Sequence, residues 1–272
     1  MNPRSIDSAR LPSGSEIGQA GRGLSKVPQV AVIFWVIKVL STGMGETTSD
    51  YLVHRFDPVS AVLVVGVCFV AALGLQFLVR RYRPPVYWLA VVMVSVFGTM
   101  VADVIHIRLG VSYAVSTIGL SVGLAAVFAA WFVVEGTLSI HSIHTTRREC
   151  FYWLTVLTTF ALGTAAGDMT AQTLHLGYFS SGLLFAALIV VPLIGHWRFG
   201  MNAIVAFWFA YILTRPLGAS FADWVAVPPG RGGLGWGTGW ISVVLALAII
   251  VLVGLLSLTH TDVEESAAPL SD

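Results

Sequence analysis

Eight long apolar runs follow one another along the chain, at roughly residues 27–53, 59–79, 85–107, 113–136, 150–174, 178–196, 201–226 and 236–258. About 20 mostly apolar residues make one helix that crosses a bilayer core of about 30 Å. In lipid each backbone N–H and C=O must be bonded inside its own segment, so runs of this length fold as helices. Composition agrees: 56% of the 272 residues are hydrophobic and 11% are charged, against about 25% charged in a soluble domain. A soluble globular enzyme, a disordered chain and a nucleic-acid binder are excluded, and a formal net charge of +1 gives no pull toward nucleic acid.

Residues 1–25 are rich in Ser, Gly and Arg and lack the apolar core of a secretory signal. They read as a disordered cytoplasmic tail, and residues 259–272 as an acidic cytoplasmic tail. Between them, 26–258 is the expected eight-helix transmembrane domain. The two cysteines, Cys68 and Cys150, have neither metal-type spacing nor a reason to pair. Basic residues set the orientation. Arg4, Arg10, Arg22, Lys26, Arg80, Arg81, Arg83, Arg147, Arg148 and Arg198 fall on one side, and only Arg55, Arg108 and Arg231 on the other. Ten against three is a positive-inside bias that puts both termini in the cytoplasm.

A fourfold repeat organises the runs. Phe34-Trp35 to Asp50, Tyr87-Trp88 to Asp103, Tyr152-Trp153 to Asp168 and Phe207-Trp208 to Asp223 align without a gap. Each holds an aromatic-Trp pair, then a glycine (Gly45, Gly98, Gly163, Gly218), then a small residue and the Asp. Each repeat is one odd-numbered helix plus the even one after it, with approximate bounds 26–82, 83–147, 148–200 and 201–258. Two helices return the chain to its starting side. The expected fold class is therefore all-α integral membrane, eight transmembrane helices as four parallel two-helix repeats about an axis along the membrane normal. At 1.5 Å per residue the Gly stands about 15 Å and the Asp about 22 Å beyond the Trp. The Trp residues read as an interfacial belt, and the Gly/small stripe as a surface for close helix approach.

Ionisable residues inside these helices are the functional candidates, because a charge near the bilayer centre costs about 2.5–3.5 kcal/mol on insertion scales. Glu46, Asp50, Asp103, Asp168 and Asp223 are the candidate cation-binding, metal-ligating or proton-relay groups. Arg215 and Lys38 are the candidate counter-charges, Lys38 with a second reading as a side chain that snorkels to the surface. His54, His106, Thr99 and Thr164 are accessory ligand candidates. Pro216 is expected to kink its helix. The loop carrying His141, His144, Arg147 and Arg148 reads as solvated. No Walker loop, HExxH motif or Ser/His nucleophile pair occurs, so no enzymatic activity and no cofactor is expected beyond a bound cation.

The four repeats, with Gly45-Glu46-Thr47, Gly163-Thr164-Ala165-Ala166-Gly167-Asp168 and Arg215-Pro216-Leu217-Gly218-Ala219, resemble a bacterial family of predicted membrane-anchored proteins with no settled function. The resemblance covers about residues 26–258. It implies a bacterial inner-membrane location and a helical repeat architecture, and supplies no catalytic residues. The expected partners are the lipid bilayer and a small cation. The leading expectation is secondary transport of that cation, with a divalent metal and proton coupling as variants. The alternative is a non-transporting scaffold or sensor whose buried acids and Arg215 form a structural network. Channel or carrier, the ion, and the oligomeric state are left open.

Overall fold

The computed structural model describes residues 25–259. The tails expected at the two ends lie outside the described residues, apart from Ser25 and Thr259 at their inner limits. Among the described residues there are eight α-helices and no strand: α1 Val32–Arg55, α2 Pro58–Leu78, α3 Pro84–Asp103, α4 Tyr113–Glu135, α5 Thr146–Asp168, α6 Gly177–Phe199, α7 Ala203–Ala226 and α8 Thr238–Thr259. π-Helical turns at Val104–Arg108 and Met169–Thr173 extend α3 and α5 just past Asp103 and Asp168.

Local chemistry sets the helix ends. Asp57, Ser112, Thr145 and Asn202 cap α2, α4, α5 and α7 by accepting bonds from first-turn amides. Pro58 and Pro84 start α2 and α3, where a missing N–H costs nothing. α7 runs through Pro216 without ending there.

Seven helices, α2 to α8, are long and apolar enough to cross a membrane. α1 has the length but carries Lys38, Glu46, Asp50 and a run of hydroxyls. Its polar residues are tolerated because they face other helices: Lys38, Ser41, Thr42, Glu46, Thr47 and Ser49 are all buried.

Odd and even helices occupy different layers. Within their most apolar windows, 56%, 67% and 44% of α3, α5 and α7 is buried, against 28%, 11%, 22% and 22% for α2, α4, α6 and α8. The odd helices form an inner ring in which α1 neighbours α3 and α7, and α5 neighbours α3 and α7. Contacts between neighbours climb together. Phe34 meets Trp88, a Cβ at Gly45 would meet Ser95, and Ser49 bonds Asp103. Each even helix packs chiefly on the odd helix of the next repeat: α2 on α3, α4 on α5, α6 on α7, and α8 back on α1. The last repeat thereby clasps the first.

The motif glycines explain how closely the ring closes. A Cβ added at Gly45 would strike Ser95, at Gly98 Phe160, at Gly163 Arg215, and at Gly218 Thr42. These four obstacles stand three residues before the glycines of the next repeat in turn. One knob-and-gap contact is thus used four times around a circle, the close approach expected of a small-residue stripe.

The Trp belt expected from the sequence is not what forms. Trp88, Trp153 and Trp208 are buried, packed edge-on against the preceding aromatic of each pair. Their indoles fill space between helices that the motif glycines bring together. The loop read as solvated is partly internal too. Ile140 and Ile143 are buried, and Trp208 Nε1 donates to the Leu138 carbonyl at 2.9 Å.

Candidate functional site

The axis of the inner ring is built in layers, one side chain from each repeat. Four residues after the first aromatic of each motif stand Lys38, Val91, Val156 and Tyr211, all buried. Four further on are Thr42, Ser95, Phe160 and Arg215, then Glu46, Thr99, Thr164 and Ala219, then the four aspartates. Spacing by four keeps neighbouring layers near one helix face.

Arg215 is the hub. It projects from α7, is wholly buried, and bonds to each of the other three odd helices. Nη1 donates to the Thr42 carbonyl of α1 at 3.0 Å and Nη2 to Glu46 Oε2 at 2.7 Å. Nη2 also donates to the hydroxyls of Thr99 on α3 and, at 2.7 Å, Thr164 on α5. The rigid fork of donors on a guanidinium suits it to such multiple partners. The counter-charge role expected of Arg215 is thus a direct ion pair with Glu46. Thr99 and Thr164, expected as accessory ligands, turn their oxygens to that guanidinium.

The aspartates form a separate layer beyond it. Asp223 is buried, while Asp50, Asp103 and Asp168 are half-buried, so this end of the axis is open. Each lies within electrostatic reach of Glu46 and of at least one other aspartate or charged neighbour, and Arg215 acts on three of them. Ser49 donates to Asp103 at 3.3 Å and Gln172 to Asp168 at 3.3 Å. Among the described residues no three of His, Cys, Asp and Glu stand close enough to hold a metal ion. The five-carboxylate metal set expected from the sequence does not converge on one point. Glu46 is held by Arg215, and each aspartate hangs from a different helix.

The histidines do not join the acids either. His54 is exposed and bonds the backbone carbonyl of Asp50 at 2.7 Å. His106 bonds the Val111 carbonyl at 2.6 Å and stacks on Tyr113 with ring centroids 3.4 Å apart. His54 reaches back one turn within α1, and the π-helical turn that follows Asp103 carries His106 into its local backbone contact.

The opposite end of the axis is closed by aromatics. Phe34, Tyr87 and Tyr152 are buried there, and the hydroxyls of Tyr87 and Tyr152 meet at 2.5 Å. Lys38 lies just inside, 1% exposed, so it does not snorkel. Its Nζ sits 4.1 Å from the centre of the Phe160 ring and 4.3 Å from that of Tyr211, with no hydrogen bond.

A second buried ion pair was not among the sequence candidates. Lys26 Nζ meets Glu149 Oε2 at 2.6 Å, and Gln76 donates to the other oxygen at 3.0 Å. This ties the segment before α1 to the end of α2 and the start of α5. Glu149 stands beside Arg147 and Arg148, and in such a charged stretch nothing marks it as buried. Glu135 takes those two arginines itself.

Four stretches of the chain, residues 33–82, 86–137, 151–202 and 206–262, match a family model described as Repeat of Unknown Function (DUF347). No curated protein and no solved structure matches the chain. Each matched stretch takes in one inner helix and the outer helix that follows it. The matches cover well over half of the chain, which belongs to the DUF347 repeat family and carries four copies of the repeat.

Proposed function

We propose that this protein is a carrier for a small cation, with the four aspartates as its loading site. It spans the bacterial inner membrane many times as four parallel two-helix repeats about a common axis. Support for the insertion comes from the apolar side chains that the outer helices present, such as Leu63, Val67, Ile118, Val122, Leu193 and Leu247. The positive-inside bias puts the aromatic end and both termini in the cytoplasm. The aspartate end then opens outward.

The observation that carries this reading is the layering of charge. Four half-buried or buried carboxylates, one per repeat, lie at the open end, and two buried cations, Arg215 and Lys38, lie beneath them. Carboxylates at one depth draw cations in, while positive charges on the axis oppose a continuous cation pore. Such a site loads from one side and needs a conformational change to empty on the other. Arg215 neutralises Glu46 beneath the aspartates. The dispersed carboxylates suit an ion that keeps part of its water.

Thermal unfolding of the detergent-purified protein against sodium, potassium, magnesium and manganese tests the loading site. A ligand bound only by the folded state raises apparent stability by mass action, about 2.7 kcal/mol at a hundredfold excess over Kd. The wild type gains stability with one of these ions and Asp168→Asn does not. If no ion acts on the wild type, the loading site is refuted.

One observation favours a second reading, a membrane scaffold without transport. Arg215 bonds all three other inner helices, which is what a structural clasp does. Under that reading Asp168→Asn changes stability equally with and without ions.

A further inference from the structure

We propose that Lys38 is the proton-exchanging group of this carrier, so that transport is cation–proton exchange; this rests on the carrier reading above. Among the described residues the buried basic side chains are Lys26, Lys38 and Arg215. Lys26 pairs with Glu149 and Arg215 with Glu46, whereas Lys38 has no carboxylate and no hydrogen bond. Two aromatic rings flank its amine, and a face-on ring attracts an ammonium without accepting its protons. An ammonium held this way can give up a proton without breaking a salt bridge.

Packing does not require a lysine here. The same layer holds Val91 and Val156 in the second and third repeats, both fully buried. The charged and titratable groups facing Lys38 come from its own helix and three others. On its own helix the nearest is Glu46, two turns away; α7 brings Arg215, whose charge acts on the amine, and Tyr211. α3 and α5 bring Tyr87 and Tyr152, bonded to each other at 2.5 Å, with Tyr152 also within reach of Tyr211. α8, the remaining major neighbour, has no ionisable side chain.

The charges link the two ends of the axis. With no cation bound, Glu46 neutralises Arg215, and Lys38 keeps its proton. A cation that passes from the aspartates to Glu46 leaves Arg215 uncompensated beside Lys38, and the two like charges repel in a medium of low dielectric. One N–H bond of the ammonium then breaks, and its proton passes to water on whichever side is open. For a monovalent cation, one positive charge is taken up and one is released.

Proteoliposomes with an acidic interior test this, with uptake of radiolabelled sodium, rubidium and manganese measured separately. For one-to-one exchange of a monovalent ion, one pH unit drives about tenfold accumulation. The wild type shows that accumulation. Lys38→Met still exchanges internal for external cation but does not accumulate it against the pH gradient. Lys38→Arg, which keeps its proton, loses accumulation as well. Accumulation by Lys38→Met as in the wild type overturns the proposal and leaves the carrier intact. Wild-type uptake that ignores the gradient does the same. Absence of both uptake and exchange with every ion overturns the carrier, and this proposal with it.

Discussion

Arg215 and Glu46 stand 169 residues apart in the chain and 2.7 Å apart across the axis. The pair exists only because the fourth repeat closes onto the first. It holds the ring shut and occupies the centre of the candidate site, so its disruption separates structural from functional consequences. Removing one partner of a buried pair costs about 3–5 kcal/mol, because the other charge is left uncompensated. Arg215→Met is expected to lose stability on that scale. The double variant Arg215→Met with Glu46→Gln recovers a large part of it. A double-mutant cycle on thermal unfolding in detergent reads the coupling directly, and additive losses would show that the pair is not coupled.

The ring contact makes its own forecast. A methyl at Gly163 runs into the stem of Arg215, and one at Gly218 into the Thr42 hydroxyl. Overpacking of this kind costs about 1–3 kcal/mol. Gly163→Ala and Gly218→Ala should therefore melt lower than wild type. At Gly119 and Gly123 on α4 nothing lies within 4 Å. There an alanine is neutral or gains up to about 1 kcal/mol of helix propensity. Equal effects at all four sites would contradict the closed ring.

The ion pairs near the aromatic end differ by exposure. Lys26→Met leaves Glu149 buried beside Gln76 alone, and a loss of about 3 kcal/mol is expected. Arg147, two-thirds exposed, shares Glu135 with Arg148, and Arg147→Ala should cost no more than about 1 kcal/mol. Chemical denaturation of the two variants side by side checks the order.

Eight helices and four repeats were legible in the sequence because hydropathy and spacing report them locally. The aspartates were legible for the same reason, since a charge inside an apolar run stands out. The partner of Arg215 was not, because pairing across 169 residues depends on the order in which helices close the ring. A usable signal was present. The residues after the four motif glycines are Glu46, Thr99, Thr164 and Ala219, and Arg215 bonds the first three. Lys38 was half-legible: its charge was plain, its burial was not, because a lysine one turn from a Trp usually reaches the surface. The Trp residues misled for a related reason. Interfacial position is the common use of that side chain, and only the inner-ring packing shows the other.

Asp57 offers a check on the turn between α1 and α2, outside the spans. Its carboxylate accepts from the Ser60 amide at 2.9 Å, and these bonds hold its pKa below the usual 3.8. A depressed pKa contributes stability that is present above the unfolded value and is lost as pH falls through the folded one. The Ser60 amide should therefore be protected from exchange, relative to an unstructured chain at the same pH, down to a pH below the usual 3.8, and lose that protection as pH falls through the depressed pKa. In Asp57→Ala that protection is lower at every pH. Exchange in the wild type at the unstructured rate at neutral pH would contradict the cap.

Cation uptake into proteoliposomes tests the central claim most directly, comparing wild type with Asp168→Asn at matched protein content. The account predicts saturable uptake of at least one of sodium, rubidium and manganese by the wild type, and its loss in a variant that still folds. Uptake unchanged by Asp168→Asn, or none by the wild type with any of the three ions, would contradict it.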